Sequence, residues 1–103
     1  MEPLCYVEGG WVPASEAKVS LFDSGLMYGE TITETLRTFR RKPYEVGRHL
    51  ARFADSCRIA RIVVDPAIDL AALLGELTER NAGAFDPEDE LLLKLDVTRG
   101  IFA

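Results

Sequence analysis

The sequence holds little from which a metal centre or a covalent scaffold could be built. It contains one histidine, which excludes a multi-histidine metal cluster within this chain. Its two cysteines, Cys5 and Cys57, are too few for a disulfide framework and lack metal-ligand spacing. Cys57 falls on an apolar helical stripe and reads as a small buried hydrophobe rather than a nucleophile. No apolar run approaches the roughly 20 residues that a membrane span needs. The N-terminus also lacks the basic flank and apolar core of a signal peptide, so a cytoplasmic protein without membrane contact is expected. Positive charge is in deficit, with 12 Lys and Arg against 17 Asp and Glu and a formal net charge of −5. That balance argues against a general nucleic-acid binder. The one basic cluster, Arg40-Arg41-Lys42, reads as a solvated hairpin tip. Internal repeats, linkers and low-complexity segments are absent as well. The 103 residues, 48% hydrophobic and 28% charged, are one domain's worth of ordinary globular sequence.

The stretch Gly29 to Arg52 organises what is present. Residues 31–39, Thr-Ile-Thr-Glu-Thr-Leu-Arg-Thr-Phe, alternate in chemistry and are rich in β-branched residues, which predicts a strand. One face carries Thr31, Thr33, Thr35 and Arg37, the other Ile32, Glu34, Leu36 and Thr38. Arg40-Arg41-Lys42-Pro43 turns the chain. Val46, Leu50, Phe53, Cys57 and Ala60 then form a helical stripe, predicting a helix over 46–62. Glu34 falls between Ile32 and Leu36 on the core face, where an unpaired carboxylate is costly. It therefore needs a partner, and His49 or an arginine of the helix is the natural one.

Around this centre, Tyr6-Val7-Glu8, Gly9-Gly10 and Trp11-Val12 read as a hairpin turned by the adjacent glycines. Residues 14–21 read as loop with room for one short strand, Phe22-Asp23-Ser24-Gly25 as a turn, and Leu26-Met27-Tyr28 as a helical turn ended by Gly29. Asp65-Pro66 marks a break and a helix start, and Leu70, Leu73, Leu74 and Leu77 place a second helix over 67–81, capped by Asn81-Ala82-Gly83. After the acidic loop Asp86-Pro87-Glu88-Asp89, Leu91, Leu93, Leu95 and Val97 alternate with Leu92, Lys94, Asp96 and Thr98, predicting a strand over 90–98. The sum is an α+β two-layer sandwich, a mostly antiparallel sheet with both helices on one face. The other face carries Thr33, Thr35 and Arg37 beside Lys94 and Asp96, open to water or lining a site completed by something else.

Asp23-Ser24-Gly25, Tyr28-Gly29-Glu30, Glu34, Arg37 and His49-Leu50-Ala51-Arg52-Phe53 with Ser56 occur in an ordered set. That set resembles the N-terminal domain of the class IV, fold-type IV, pyridoxal-phosphate enzymes, closest to the branched-chain amino acid aminotransferases. The similarity runs from Val7-Glu8-Gly9-Gly10 to Thr98-Arg99-Gly100. The resemblance implies an N-terminal small domain over 1–103 and pyridoxal 5'-phosphate as cofactor. It also implies amino acid and 2-oxo acid substrates and a homodimer.

It assigns Arg52, through the His-Leu-x-Arg motif, to the cofactor phosphate, which a guanidinium fork suits. Periodicity alone leaves Arg52 a solvated arginine with Glu45 or Asp55 as partner. His49 is implied to organise the helix and turn. Tyr28, Thr33, Arg37 and Lys94 fall at substrate-facing positions. Thr33 stands where branched-chain enzymes often carry Phe and D-amino acid enzymes Tyr. Arg37 matches the branched-chain arginine, and Lys94 stands where those enzymes often carry Arg. Lys18, Lys42 and Lys94 are the only lysines, and none matches the family's Schiff-base lysine motif, which lies in a larger C-terminal domain. The chain is thus expected to be a fragment, inactive alone, with no catalytic residue of its own. The apolar Ile101-Phe102-Ala103 just beyond a strand is read the same way. An aminodeoxychorismate lyase or a D-amino acid aminotransferase is the enzymatic alternative, and a non-catalytic α+β interaction domain the alternative of another class.

Overall fold

The computed structural model describes residues 1–101. Phe102 and Ala103, two of the apolar residues noted at the chain's end, lie outside the described residues. The chain folds in the order β1 (Leu4–Val7), β2 (Gly10–Pro13), α1 (Ser24–Tyr28), β3 (Thr31–Phe39), β4 (Lys42–Pro43), α2 (Val46–Ala60), α3 (Leu70–Arg80) and β5 (Leu92–Thr98). β3 is the centre of a three-stranded antiparallel sheet in the order β4-β3-β5. Its long pairing with β5 runs from Thr31 opposite Thr98 to Arg37 opposite Leu92. Both helices lie on the face of this sheet that carries Leu36, as the alternation in β3 requires.

The core is a leucine layer. Leu36 from β3, Leu74 from α3, and Leu91 and Leu93 at β5 are all buried, with Val46, Leu50 and Leu77 packed around them. Phe53, Cys57 and Ile62 continue it along α2. Thr38 is fully buried on the same face, yet its hydroxyl is satisfied: it donates to Glu90 Oε1 at 2.7 Å and accepts from Leu91 N–H at 2.8 Å.

Several local expectations are corrected. The expected hairpin is present as β1 and β2, which form a two-stranded sheet of their own. Their turn is Glu8-Gly9, with φ of 49° and 87°, while Gly10 is already paired opposite Val7. Glu8 thus takes the first left-handed position that a glycine was expected to fill. No strand forms in residues 14–21, where Ala14–Glu16 makes a 3-10 turn. Ser24 and Gly25 belong to α1, because Asp23 caps it by accepting from Gly25 N–H at 2.8 Å.

The second helix starts at Leu70 rather than at 67. Asp69 is its cap, accepting from Ala72 N–H, while Asp65 spends its side chain on a turn with Ala67 N–H. Asn81 ends that helix without the left-handed geometry of a glycine-type cap, and 82–84 continue as a 3-10 turn. The buried Asn81 amide instead accepts from Leu4 N–H and donates to the carbonyls of Leu4 and Leu77, fastening the hairpin to α3. The basic tip is not merely solvated. The Arg41 guanidinium donates to the carbonyls of Asp89, Ala82 and Asp86, tying the tip to the acidic loop.

Candidate functional site

Glu34 is the chemical centre of the covered face. Strand alternation points it at α2, between Ile32 and Leu36, where it is only 4% exposed. Arg52 Nε donates to both its oxygens at 3.0 and 3.1 Å, and Arg52 Nη2 donates to Oε2 at 2.5 Å. His49 Nδ1 lies 2.6 Å from the same Oε2. The arginine bonds, opposed by burial and helped by His49, lower the Glu34 pKa below its ordinary value. An ionised carboxylate only accepts, so the Nδ1 nitrogen of His49 carries the hydrogen. Glu34 in turn raises the pKa of Arg52, so the guanidinium is permanently charged.

The spacing explains the constellation. His49 and Arg52 are three residues apart and lie on one helix face, and both reach a single carboxylate on the strand beneath. Glu45 and Asp55, the other partners considered for Arg52, pair instead with Arg48 and Arg58. Arg52 remains two-thirds exposed, with its Nε and Nη2 turned to Glu34. Its remaining donors suit a phosphate group at the edge of the helix, and its orientation is set from below by a buried anion. That is the chemistry a phosphate-bearing cofactor such as pyridoxal phosphate asks of one anchor. No group of three or more His, Cys, Asp or Glu among the described residues could hold a metal. None of the described helices is long and apolar enough to cross a membrane.

The open face brings together Thr33, Arg37 and Lys94. Thr33 lies opposite Asp96 and Thr35 opposite Lys94 in the β3–β5 register. Thr33 Oγ1 donates to Asp96 Oδ1 at 2.6 Å, and Lys94 Nζ lies 3.6 Å from Asp96 Oδ2. Arg37 Nε donates to Thr38 O at 2.8 Å, with Nη2 3.9 Å from Glu90 Oε2. Arg52 does not share this face; it stands over Glu34 on the other side of β3. Tyr28 is exposed at the end of α1, whose first turn presses against the sheet. A Cβ on Gly25 would meet Thr31 Oγ1 at 2.6 Å and Thr98 Cγ2 at 2.7 Å, so only glycine allows that approach. Gly29, with φ of 70°, closes the helix and turns the chain into β3.

Sequence reasoning placed Asp96 on this face but gave it no role, although it holds two of the candidate substrate residues. Cross-strand pairing with Thr33 was the available signal. Arg99 was likewise seen only as part of a motif. Its guanidinium donates to the carbonyls of Arg61 and Ala60, and its Nε lies 3.0 Å from Glu30 Oε2, clamping the end of α2 to the start of β3.

Comparison with known proteins fits this geometry. No family model matches the sequence. The chain is 31% identical over 97 residues to branched-chain-amino-acid aminotransferase-like protein 1 of Arabidopsis thaliana, covering 94% of this chain and 17% of that protein. It is 29% identical over 100 residues to a D-alanine aminotransferase of Staphylococcus aureus, covering 93% of this chain and 33% of the relative. Among solved structures, a fold IV transaminase of Curtobacterium pusillum superposes with a TM-score of 0.71 at 28% identity, over 89% of this chain and 32% of that one. The chain therefore spans about a third or less of the length of the proteins it matches. Relatives and structural neighbour alike are aminotransferases, and this chain has the fold of the N-terminal part of a fold-type IV aminotransferase.

Proposed function

We propose that this chain is the N-terminal small domain of a longer pyridoxal-phosphate-dependent class IV aminotransferase, of the branched-chain type, working as a cytoplasmic homodimer. The carrying observation is the Glu34–His49–Arg52 constellation, in which a buried carboxylate aims a permanently charged guanidinium outward from α2. In this reading Arg52 holds the cofactor phosphate, and Glu34 and His49 hold Arg52. Tyr28, Thr33, Arg37 and Lys94 face the amino acid and 2-oxo acid substrates. The cofactor, when bound, supplies the electron sink that makes amino-group exchange possible. This chain's residues contribute binding and orientation only, because proton transfer at the substrate needs a lysine from a further domain. Lys18, Lys42 and Lys94 are not that lysine: Lys42 sits at the hairpin tip, Lys94 beside Asp96, and Lys18 in an exposed loop.

The reading is tested on the full-length protein. Arg52→Ala should weaken pyridoxal phosphate binding by about tenfold to a hundredfold, the worth of a hydrogen-bonded contact to a charged group. Absorbance titration of the cofactor measures it. Residues 1–103 expressed alone should show no transaminase activity. Unchanged cofactor affinity in the variant would refute the anchor, and turnover by the isolated chain would refute the division into domains.

A further inference from the structure

We propose that His49 sets the net charge of the phosphate anchor: when protonated it cancels the charge of Glu34 and leaves the Arg52 charge free for a dianion, and when neutral it leaves Arg52 balanced by Glu34. The proposal rests on the reading that Arg52 holds the cofactor phosphate, and adds to it a grip controlled by one proton. The carboxylate beneath Arg52 is a shared one. Glu34 Oε2 lies 2.6 Å from His49 Nδ1 and accepts from Arg52 Nη2 at 2.5 Å, while Oε1 accepts from Arg52 Nε at 3.0 Å. Glu34 is 4% exposed, so water screens it little, and among the described residues these two side chains are the ones that pair with it.

Histidine is the side chain whose charge ordinarily changes near neutral pH. The ring of His49 is one-quarter exposed, which gives a proton access to it. Nδ1 donates to Glu34 whether the ring is neutral or charged, so protonation at Nε2 adds a charge without breaking the contact. The charged groups that face His49 are Glu34 from β3 and, through that carboxylate, Arg52 on its own helix. Glu45 and Arg48 beside it on α2 pair with each other, and on α3, which also packs on α2, Glu76 and Arg80 do the same. The balance of charge under Arg52 therefore turns on His49. A unit charge added beside a partly exposed anion site changes the affinity for a dianion by about three- to tenfold.

Sulfate binding to the cofactor-free full-length protein tests this without turnover. Sulfate stays a dianion between about pH 5.5 and pH 8.5, the range that brackets histidine titration, whereas a phosphate monoester itself titrates there. Wild-type affinity should rise by about three- to tenfold from the top of that range to the bottom. His49→Gln, which stays neutral, should lose most of that rise and keep the weak value, while His49→Lys, which stays charged, should keep the tight one. A role confined to holding Arg52 in place would shift affinity equally at every pH. In the wild-type protein, sulfate binding should take up protons near the middle of the range, read by calorimetry in two buffers of different ionisation enthalpy, because proton and anion favour each other reciprocally. A pH profile in His49→Gln that matches the wild type, or binding without proton uptake, would overturn the proposal. Arg52→Ala reads the underlying anchor separately: it should weaken sulfate binding at every pH, and unchanged affinity there would overturn the anchor reading itself.

Discussion

The two faces of β3 both carry polar side chains and treat them oppositely. On the covered face, Glu34 and Thr38 are buried among leucines, and each has every strong hydrogen-bonding demand met by a specific partner. On the open face, Thr33, Thr35 and Arg37 are exposed; Thr33 bonds Asp96 through its hydroxyl, and Arg37 bonds the Thr38 carbonyl and approaches Glu90 only to 3.9 Å. Burial makes the first set expensive to disturb, because an unpaired charge there cannot fall back on water. Exposure makes the second set cheap to change. One strand thereby holds the Arg52 guanidinium rigidly through Glu34 on one side and leaves a replaceable surface on the other.

The contrast is broken most severely in the leucine layer. Leu74→Ala removes a side chain that is 3% exposed and packed against Leu36, Leu91 and Leu93. The unfolding free energy should fall by about 2 to 4 kcal/mol, read from the midpoint of a denaturant titration. A loss below about 1 kcal/mol would mean that α3 is not seated on the sheet.

Glu34→Ala comes next. It leaves Arg52 and His49 without their shared anion, but both can turn toward water, so about 2 kcal/mol is expected rather than the full cost of a broken buried pair. The pH dependence carries a sign. The Glu34 pKa is lowered in the fold by Arg52, so the unfolded chain binds the proton more readily. Its stabilisation is complete above the ordinary carboxylate value of 4.5 and is lost as pH falls through the lower folded value. Glu34→Gln should therefore flatten the acid limb of a stability–pH profile while leaving the rest of its shape unchanged. An acid limb of unchanged slope would show that the Glu34–Arg52 contact does not persist in solution.

Asn81→Ala should follow, at about 1 to 2 kcal/mol, because it strands the N–H and carbonyl of Leu4 at a partly buried junction. Hydrogen exchange at Leu4 checks it directly, since that amide should lose protection while the β3–β5 amides keep theirs.

These sites also differ in how far the sequence disclosed them. Period-2 alternation in 31–39 and 91–98 gave the strands, their faces and the burial of Glu34 correctly, because a slip of one residue would have exposed the leucines. Helical stripes gave α2 and α3. Caps were less legible: Asp65-Pro66 and Asp69 are both sensible starts for α3, and only the competing turn at Ala67 decides between them. Long-range side-chain bonds were not legible at all. Asn81 reads locally as a helix terminator, and its attachment to Leu4 spans 77 positions with no periodic signal. At the candidate site, face and period together pointed Glu34 to His49 or an arginine of the helix, but did not single out Arg52 or show that both share the one carboxylate. The Thr33–Asp96 bond was half legible, because alternation puts both residues on one face while the register that sets them opposite each other carries no pattern of its own.

The smallest effect should come from the centre of the open face. Thr35 lies opposite Lys94, is exposed, and makes none of the bonds that fix Thr33. Thr35→Val keeps the β-branched shape and its strand preference while replacing a hydroxyl that water can solvate by a methyl group. Stability should change by less than about 0.5 kcal/mol, as for most surface substitutions away from special contacts. The same change placed at Thr38, on the other face of the same strand, leaves the buried Leu91 N–H without its acceptor and takes one donor from Glu90, and should cost visibly more. Measuring the two valine variants side by side by denaturant titration is a direct reading of the asymmetry of β3. Equal losses at Thr35 and Thr38 would mean that the polar face is not the free surface described here.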